Sequence, residues 1–219
     1  MRNLAVLGAH QAVVAAVERC LDPESAKEHP AAEVTAVVRY AVDALPAHYI
    51  AAGLPERAVR FLENISHYAQ PAITRDRWAA HAPAIAQALG AEHPDTLATR
   101  SNLASWRGKA GDAAGAAAAF AELLPLQERV LGPEHPATLI TRNNLASWRG
   151  EAGDAAGAAA AFAELLPLLE RVLGLEHPDT LITRSNLAMC RGKAGDAAGA
   201  AAAFAELLPL QERVLGPEH

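Results

Sequence analysis

The sequence predicts an all-α fold, an α-solenoid of antiparallel helix hairpins with about ten helices, and three observations lead there. Alanine supplies 53 of the 219 residues; it is the strongest helix former and is depleted in strands. Aromatic residues make up only 5% of the chain, so thin layers of closely spaced helices suit the composition better than a thick core. His93, His135, His177 and His219 recur at a spacing of 42 residues, and the segments between them are near copies. Residues 93–134 and 135–176 differ at six positions, and residues 93–134 and 177–218 at three. A period of this length marks stacked units, each of which buries its apolar face against its neighbours.

From the N-terminus, Leu4, Leu7, Val14, Val17 and Leu21 fall on one helical stripe and predict an amphipathic helix. A secretion leader or membrane span fits less well: His10 and Gln11 interrupt the segment, and no apolar run of about 18 residues occurs. A second helix follows Pro30 over 31–50, with Val34, Val37, Val38, Ala41 and Leu45 on its apolar side. A turn at Gly53-Leu54 precedes a third, opened by Pro55 at its first position and running to about Ala69. Trp78, Pro83 and Leu89-Gly90 each lie 42 residues before Phe120, Pro125 and Leu131-Gly132, which predicts a degenerate second helix of a hairpin over about 72–89. The resulting division is 1–50, a hairpin or cap; 51–92, a degenerate hairpin; 93–134, 135–176 and 177–219, three copies with the start of another. Whether the first pair is a true repeat or a separate cap stays open. The spacing of 19 between His10, His29, His48 and His67 is read as chance.

Within a copy, His93-Pro-Asp-Thr96 supplies a turn and Asp95 a candidate N-cap for a helix, A, that runs to about Lys109 with Leu103 and Trp106 as its bulky apolar part. Ala110-Gly111-Asp112 breaks it, Gly111 suiting a left-handed C′ position and Asp112 the next N-cap. Helix B then extends over about 113–131 with Ala116, Phe120, Leu123, Leu124 and Val130 buried, while Ala117 to Ala119 keep its flank thin. Pro125, repeated as Pro167 and Pro209, deletes one hydrogen bond and predicts a bend; the alternative is a helix that stops and restarts there. Trp106 and Trp148, replaced by Cys190, read as packing residues in preference to a stacking platform.

Asn-Leu-Ala at 102–104, Gly111-Asp112, Ala116, Phe120 and Leu-Gly-Pro-Glu-His-Pro at 131–136 resemble the tetratricopeptide repeat in its 42-residue, kinesin-light-chain-like variety. The likeness covers 93–218 and departs from the pattern at Arg107, where an aromatic residue is common, and at the helix B proline. It implies a right-handed superhelix whose helix A lines the inner, concave surface. It also implies that Asn102, Asn144 and Asn186 bond the backbone of an extended peptide.

The chemistry of those residues agrees, since an asparagine amide both donates and accepts and so satisfies a peptide unit without selecting a side chain. Ser101, Asn102 and Ser105, then Asn143, Asn144 and Ser147, then Ser185 and Asn186 occupy one angular position on successive A helices. Arg100, Arg142 and Arg184 either recognise carboxylates through their forked guanidinium groups or pair with glutamates on adjacent helices. The copies differ mainly on the same side of helix A: 98/140/182 is Ala, Ile, Ile; 101/143/185 is Ser, Asn, Ser; 105/147/189 is Ser, Ser, Met; 109/151/193 is Lys, Glu, Lys. Selection for ligands on a fixed frame, or drift after duplication, accounts for this.

Catalytic signatures are missing. Gly108-Lys109-Ala110-Gly111 lacks the Ser or Thr of a phosphate loop, no metalloprotease, nucleophile-elbow or calcium-loop pattern occurs, and Glu134-His135-Pro136 sits in a turn. No cofactor or metal is expected. A net charge of −6 without a basic stripe argues against nucleic acid. Cys20 and Cys190 form no framework, which fits a reducing, cytoplasmic compartment. The leading expectation is a noncatalytic scaffold that binds a protein or peptide segment on helix A. Two alternatives are a sensor or regulatory fragment resembling the arms of bacterial signal-transduction NTPases, and end-to-end homo-oligomerisation, because 216–219 begin a further copy.

Overall fold

Alanine-rich hairpin sequences fold as helices throughout. A computed structural model of the chain describes residues 2–21 and 31–215, and these form ten α-helices with no strand. In chain order they are α1 (Arg2–Leu21), α2 (Ala31–Ala51), α3 (Pro55–Ile65), α4 (Pro71–Leu89), α5 (Pro94–Lys109), α6 (Ala113–Val130), α7 (Pro136–Glu151), α8 (Ala155–Val172), α9 (Pro178–Lys193) and α10 (Ala197–Leu215). The side chains of Cys20, Leu21 and Val34 and the start of a further copy at 216–219 lie outside the described residues. The helices gather into two compact units, residues 1–103 and 104–219.

In the first unit α1 packs on α2 through Val14 and Val17, which meet Ala41, Leu45 and Tyr49. The expected stripes are only partly buried: Leu4 is 74% exposed and Val38 44%, because the shared core gathers around the second half of α1. The Tyr49 hydroxyl donates to Glu18 Oε1 at 2.5 Å, and Arg57 reaches the same carboxylate at 2.6 Å. The third helix ends at Ile65, four residues earlier than expected. At Ser66 the backbone N–H shifts to the Glu63 carbonyl, the hydroxyl bonds back to the Leu62 carbonyl at 2.6 Å, and the chain turns through a 3₁₀ segment at Ser66–Tyr68. Trp78, 1% exposed, donates its indole N–H to the Ser66 oxygen at 2.9 Å, so one serine fastens α3 to α4. His10 Nδ1 and His48 Nδ1 also meet, at 2.7 Å.

In the second unit the copied turns perform as their residues dictate. Gly111, Gly153 and Gly195 take φ of +102°, +104° and +107°, a region closed to most side chains, and let helix A end abruptly. Asp112 and Asp154 then cap helix B, accepting from the amides of Gly115 at 2.8 Å and Gly157 at 2.9 Å. The N-terminus of helix A differs from expectation. His135 and His177 are the caps, each accepting through Nδ1 from the amide two residues on at 3.2 Å, and Asp179 lies within the first turn. The histidine precedes a proline, which holds it extended and starts the helix with φ already set. Position 137 is alanine, yet α7 begins at the same place, so the aspartate is dispensable. Helix B runs without interruption through Pro125 and Pro167, which rules out the stop-and-restart reading.

Packing repeats as well. Phe162, fully buried, sits among Ala146 and Ala158 of its own hairpin and Leu187 and Cys190 of the following A helix. Helix A buries Leu139 and Leu181 with Thr138, Thr141, Thr180 and Thr183, all at most 1% exposed, whereas Leu145 and Trp148, the counterparts of the expected Leu103 and Trp106, are half-buried. Successive A helices touch, α7 against α9. A Cβ added to Gly108 would lie 2.6 Å from the Trp148 ring, so glycine permits this close approach, and at the next step Cys190 Sγ lies 3.3 Å from the corresponding point on Gly150.

Candidate peptide-binding site

A helix places residues three and four apart on one side, so Pro136, Ile140, Asn143 and Asn144 of α7 form one stripe. Asp179, Ile182 and Thr183 do the same on α9. Between these stripes lies a cavity of about 450 Å³, floored by Leu139 and by Leu169 and Leu173 from the end of α8, with His177 at its rim. Ile140 and Ile182 remain 48% and 50% exposed at its mouth. Mostly apolar walls with a few polar groups at the edge are what a side chain of a bound segment requires.

The polar residues expected to bind are distributed unevenly around it. The single Thr183 hydroxyl proton is shared between the Asp179 carbonyl at 2.8 Å and Asn143 Oδ1 at 3.0 Å, a contact that joins α9 to α7. Asn144 lines the cavity, half-buried, with no hydrogen bond from its amide among the described residues. Asn186, Ser147 and Ser185 are half-buried on the same helices outside the cavity wall. Asn102, Ser101 and Arg100 belong to the first unit, where the Asn102 amide donates to Glu63 Oε1 at 3.2 Å. Ser105, half-buried, follows on α5.

The arginines separate by their neighbours. Arg142 meets Glu128 of α6 and Arg184 meets Glu170 of α8, each at 2.5 Å and each with about a third of the side chain exposed or less. Arg100 forms no ion pair among the described residues, since the position matching Glu128 and Glu170 is Ala86. One variable position is accounted for by packing: the change from lysine to Glu151 gives Lys193 a partner at 2.9 Å in the next copy. Lys109 instead stands over the Trp106 ring, 4.2 Å from its centroid.

Two features of the site escaped sequence reasoning. The paired threonines of helix A are core residues, legible only as the Thr-Leu-x-Thr pattern around the buried Leu139 and Leu181. The cavity itself depends on Ile140 and Ile182 standing opposite one another, and the sequence shows this merely as an Ala, Ile, Ile difference. Among the described residues no three metal-ligating side chains converge, and no helix is long and apolar enough to cross a membrane.

Two family models described as tetratricopeptide repeat match, one over residues 102–171 and the other over 180–219, together half of the chain. The chain belongs to the tetratricopeptide repeat family. Solved structures share the fold. BtubC (BKLC) from P. vanneervenii superposes with a TM-score of 0.67 at 15% identity, over 99% of this chain and 93% of its own. A kinesin light chain of nearly identical TPR-like repeats from Podosopora anserina gives 0.60 at 20% identity, over 94% and 96%. Its other crystal structure gives 0.59 at 20% identity, over 94% and 97%. Comparison with curated protein sequences finds no match. The tetratricopeptide repeats here thus form an all-α solenoid with the fold of those structures, and the family is one of scaffolds whose general task is protein interaction.

Proposed function

We propose that this repeat protein is a noncatalytic scaffold that binds an extended segment of another protein along the helix A side of its second unit. The cavity between α7 and α9 carries the proposal, because two half-exposed isoleucines and an asparagine amide without an internal partner converge there. An apolar side chain of the ligand enters between Ile140 and Ile182, and Asn144 bonds the adjacent peptide unit. Asn186, Ser147 and Ser185 continue the polar surface on the same helices. Ser105 is proposed as a further contact within the second unit, and Asn102, Ser101 and Arg100 as a separate ligand-contacting set on the first unit, with Arg100 best suited to a carboxylate. Arg142 and Arg184 serve the frame first. The preformed surface reduces the ordering cost on the receptor side. The buried, unpaired Cys190 thiol, its pKa raised by burial, is compatible with a cytoplasmic setting.

The test is selection of binders from a random extended-peptide library on the intact chain, followed by variants. Ile182→Glu should weaken the selected peptides at least tenfold, and Asn144→Ala several-fold, with helix content unchanged. Undiminished affinity in both variants contradicts the assignment.

A further inference from the structure

The lining of the cavity between α7 and α9 departs from the sequence found at the same positions one copy earlier. Ile140, Asn143, Leu169 and Asp179 stand where the preceding copies carry Ala98, Ser101, Gln127 and Ala137. Three of the six differences between residues 93–134 and 135–176 thus fall on the wall of this one cavity. Ile140 and Leu169 make the wall more apolar, and Asp179 adds a charge. It is the sole carboxylate among the lining residues, and no lysine or arginine lines the cavity. Half of its side chain is exposed, and its one ion-pair contact among the described residues is His177 Nδ1 at 3.8 Å. That nitrogen accepts from the Asp179 amide at 3.2 Å, and a ring nitrogen that accepts holds no proton, so the carboxylate stays unneutralised. An aspartate suits the first turn of any helix, but α7 begins in the same register with Ala137, so α9 does not need the acid to start.

We infer that Asp179 makes this cavity specific for an extended segment carrying an aliphatic side chain with a lysine or arginine two residues away. The inference rests on the binding site proposed above and adds the chemical class of its ligand. Asp179 and Ile182, three apart on one helix, have Cβ atoms about 5–6 Å from each other. Side chains two apart on an extended chain point the same way, about 7 Å apart. One face of the ligand therefore reaches both: the aliphatic residue enters between Ile140 and Ile182, and the basic residue meets the Asp179 carboxylate at the rim. Apolar burial supplies most of the affinity. The half-exposed ion pair adds little to it but discriminates, because an acidic residue at the same place would face a like charge.

The test uses the intact chain and peptides selected on it from a random extended-peptide library, with affinities read by fluorescence anisotropy. The selected sequences should hold Lys or Arg two residues from Leu, Ile or Val well above the library frequency. Asp179→Ala, which installs the residue α7 carries at this position, should weaken them about threefold to fivefold at low ionic strength. Replacing the peptide's basic residue by Gln should cost as much with the native chain and nothing further with Asp179→Ala, and about 0.5 M NaCl should erase the difference. Ile182→Ala should weaken both forms of the peptide alike. Peptides that weaken with Ile182→Ala but show no basic excess, or bind Asp179→Ala undiminished, overturn this inference and leave the cavity assignment standing. Peptides indifferent to Ile182→Ala, or a selection that yields none, overturn both.

Discussion

The first unit is held by contacts that occur once, the second by contacts that occur again and again. Ser66 joining Leu62, Thr74 and Trp78, or Glu18 shared by Tyr49 and Arg57, has no counterpart elsewhere among the described residues. In the second unit each device recurs at the copy spacing: Asp112 and Asp154 as caps, Glu128–Arg142 and Glu170–Arg184 between helices, Arg171–Glu134 and Arg213–Glu176 across turns. The difference teaches that repetition substitutes for individually strong interactions. Surface pairs of this kind each contribute little, but a contact that tiles adds its contribution at every interface. A one-off contact must be well made, which is why the indole of Trp78 is both buried and hydrogen-bonded.

That contrast can be broken most forcefully inside the second unit. Phe162→Ala opens a cavity in a sealed core and should cost about 4 kcal/mol. Phe204→Ala, at the half-open copy of the same site, should cost about 1–2 kcal/mol. Chemical denaturation of the two variants gives the difference directly, and equal losses would deny that position along the stack governs burial. In the first unit, Ser66→Ala strands the Trp78 N–H and should destabilise by about 2 kcal/mol. Asp112→Ala, which removes one cap among several, should cost about 1 kcal/mol. Site-resolved hydrogen exchange should confine each effect to its own unit.

Acid should sharpen the comparison more gently. Burial, reinforced by the nearby His10, lowers the pKa of His48, and burial alone lowers that of His81, both in the first unit. A folded-state pKa below the unfolded value of about 6.5 means the unfolded chain takes up protons first. Stability is then complete above about pH 6.5 and declines as pH falls through it toward the depressed folded values. In the second unit the Arg149 guanidinium and the Gly157 amide hold Asp154 below the usual carboxylate range. Its contribution is present above the ordinary aspartate pKa and lost as pH falls through the folded one. Protection factors in α2 and α4, which are corrected for the slower intrinsic exchange in acid, should therefore fall as pH drops from 7 to 5 while those at the start of α8 do not. Simultaneous loosening of both would refute the assignment.

Most of the fold was legible because the repeated text carries its own punctuation. Gly111-Asp112 announces a stop and a start, and the 42-residue offset from Trp78 to Phe120 correctly places α4 despite little identity. Local rules failed where a competing local bond won. At Ser66 the backbone N–H turned to Glu63 and α3 gave way to a 3₁₀ turn, and the residue before proline took the cap from Asp95. At helix A the residues at the Leu103 and Trp106 positions do pack, as Leu187 and Cys190 over Phe162 show, but the equally buried threonines gave no such signal in the sequence. Of the expected site, asparagine and arginine identities were readable, and glutamates of adjacent helices were one of two expected partners for the arginines, but the particular glutamates and the partners of the asparagines were not. Glu63, Glu128, Glu170 and Thr183 lie 14 to 40 residues away in the chain, and only the folded structure shows which amide is left without a bond.

The most direct measurement is methyl NMR of the chain labelled at isoleucine δ1, with six reporters at Ile50, Ile65, Ile73, Ile85, Ile140 and Ile182. Titration with a peptide selected on the intact protein should shift Ile140 and Ile182 together and leave the first four near their free positions. Shifts confined to the first four, with Ile140 and Ile182 unmoved at saturation, would contradict binding in the cavity between α7 and α9.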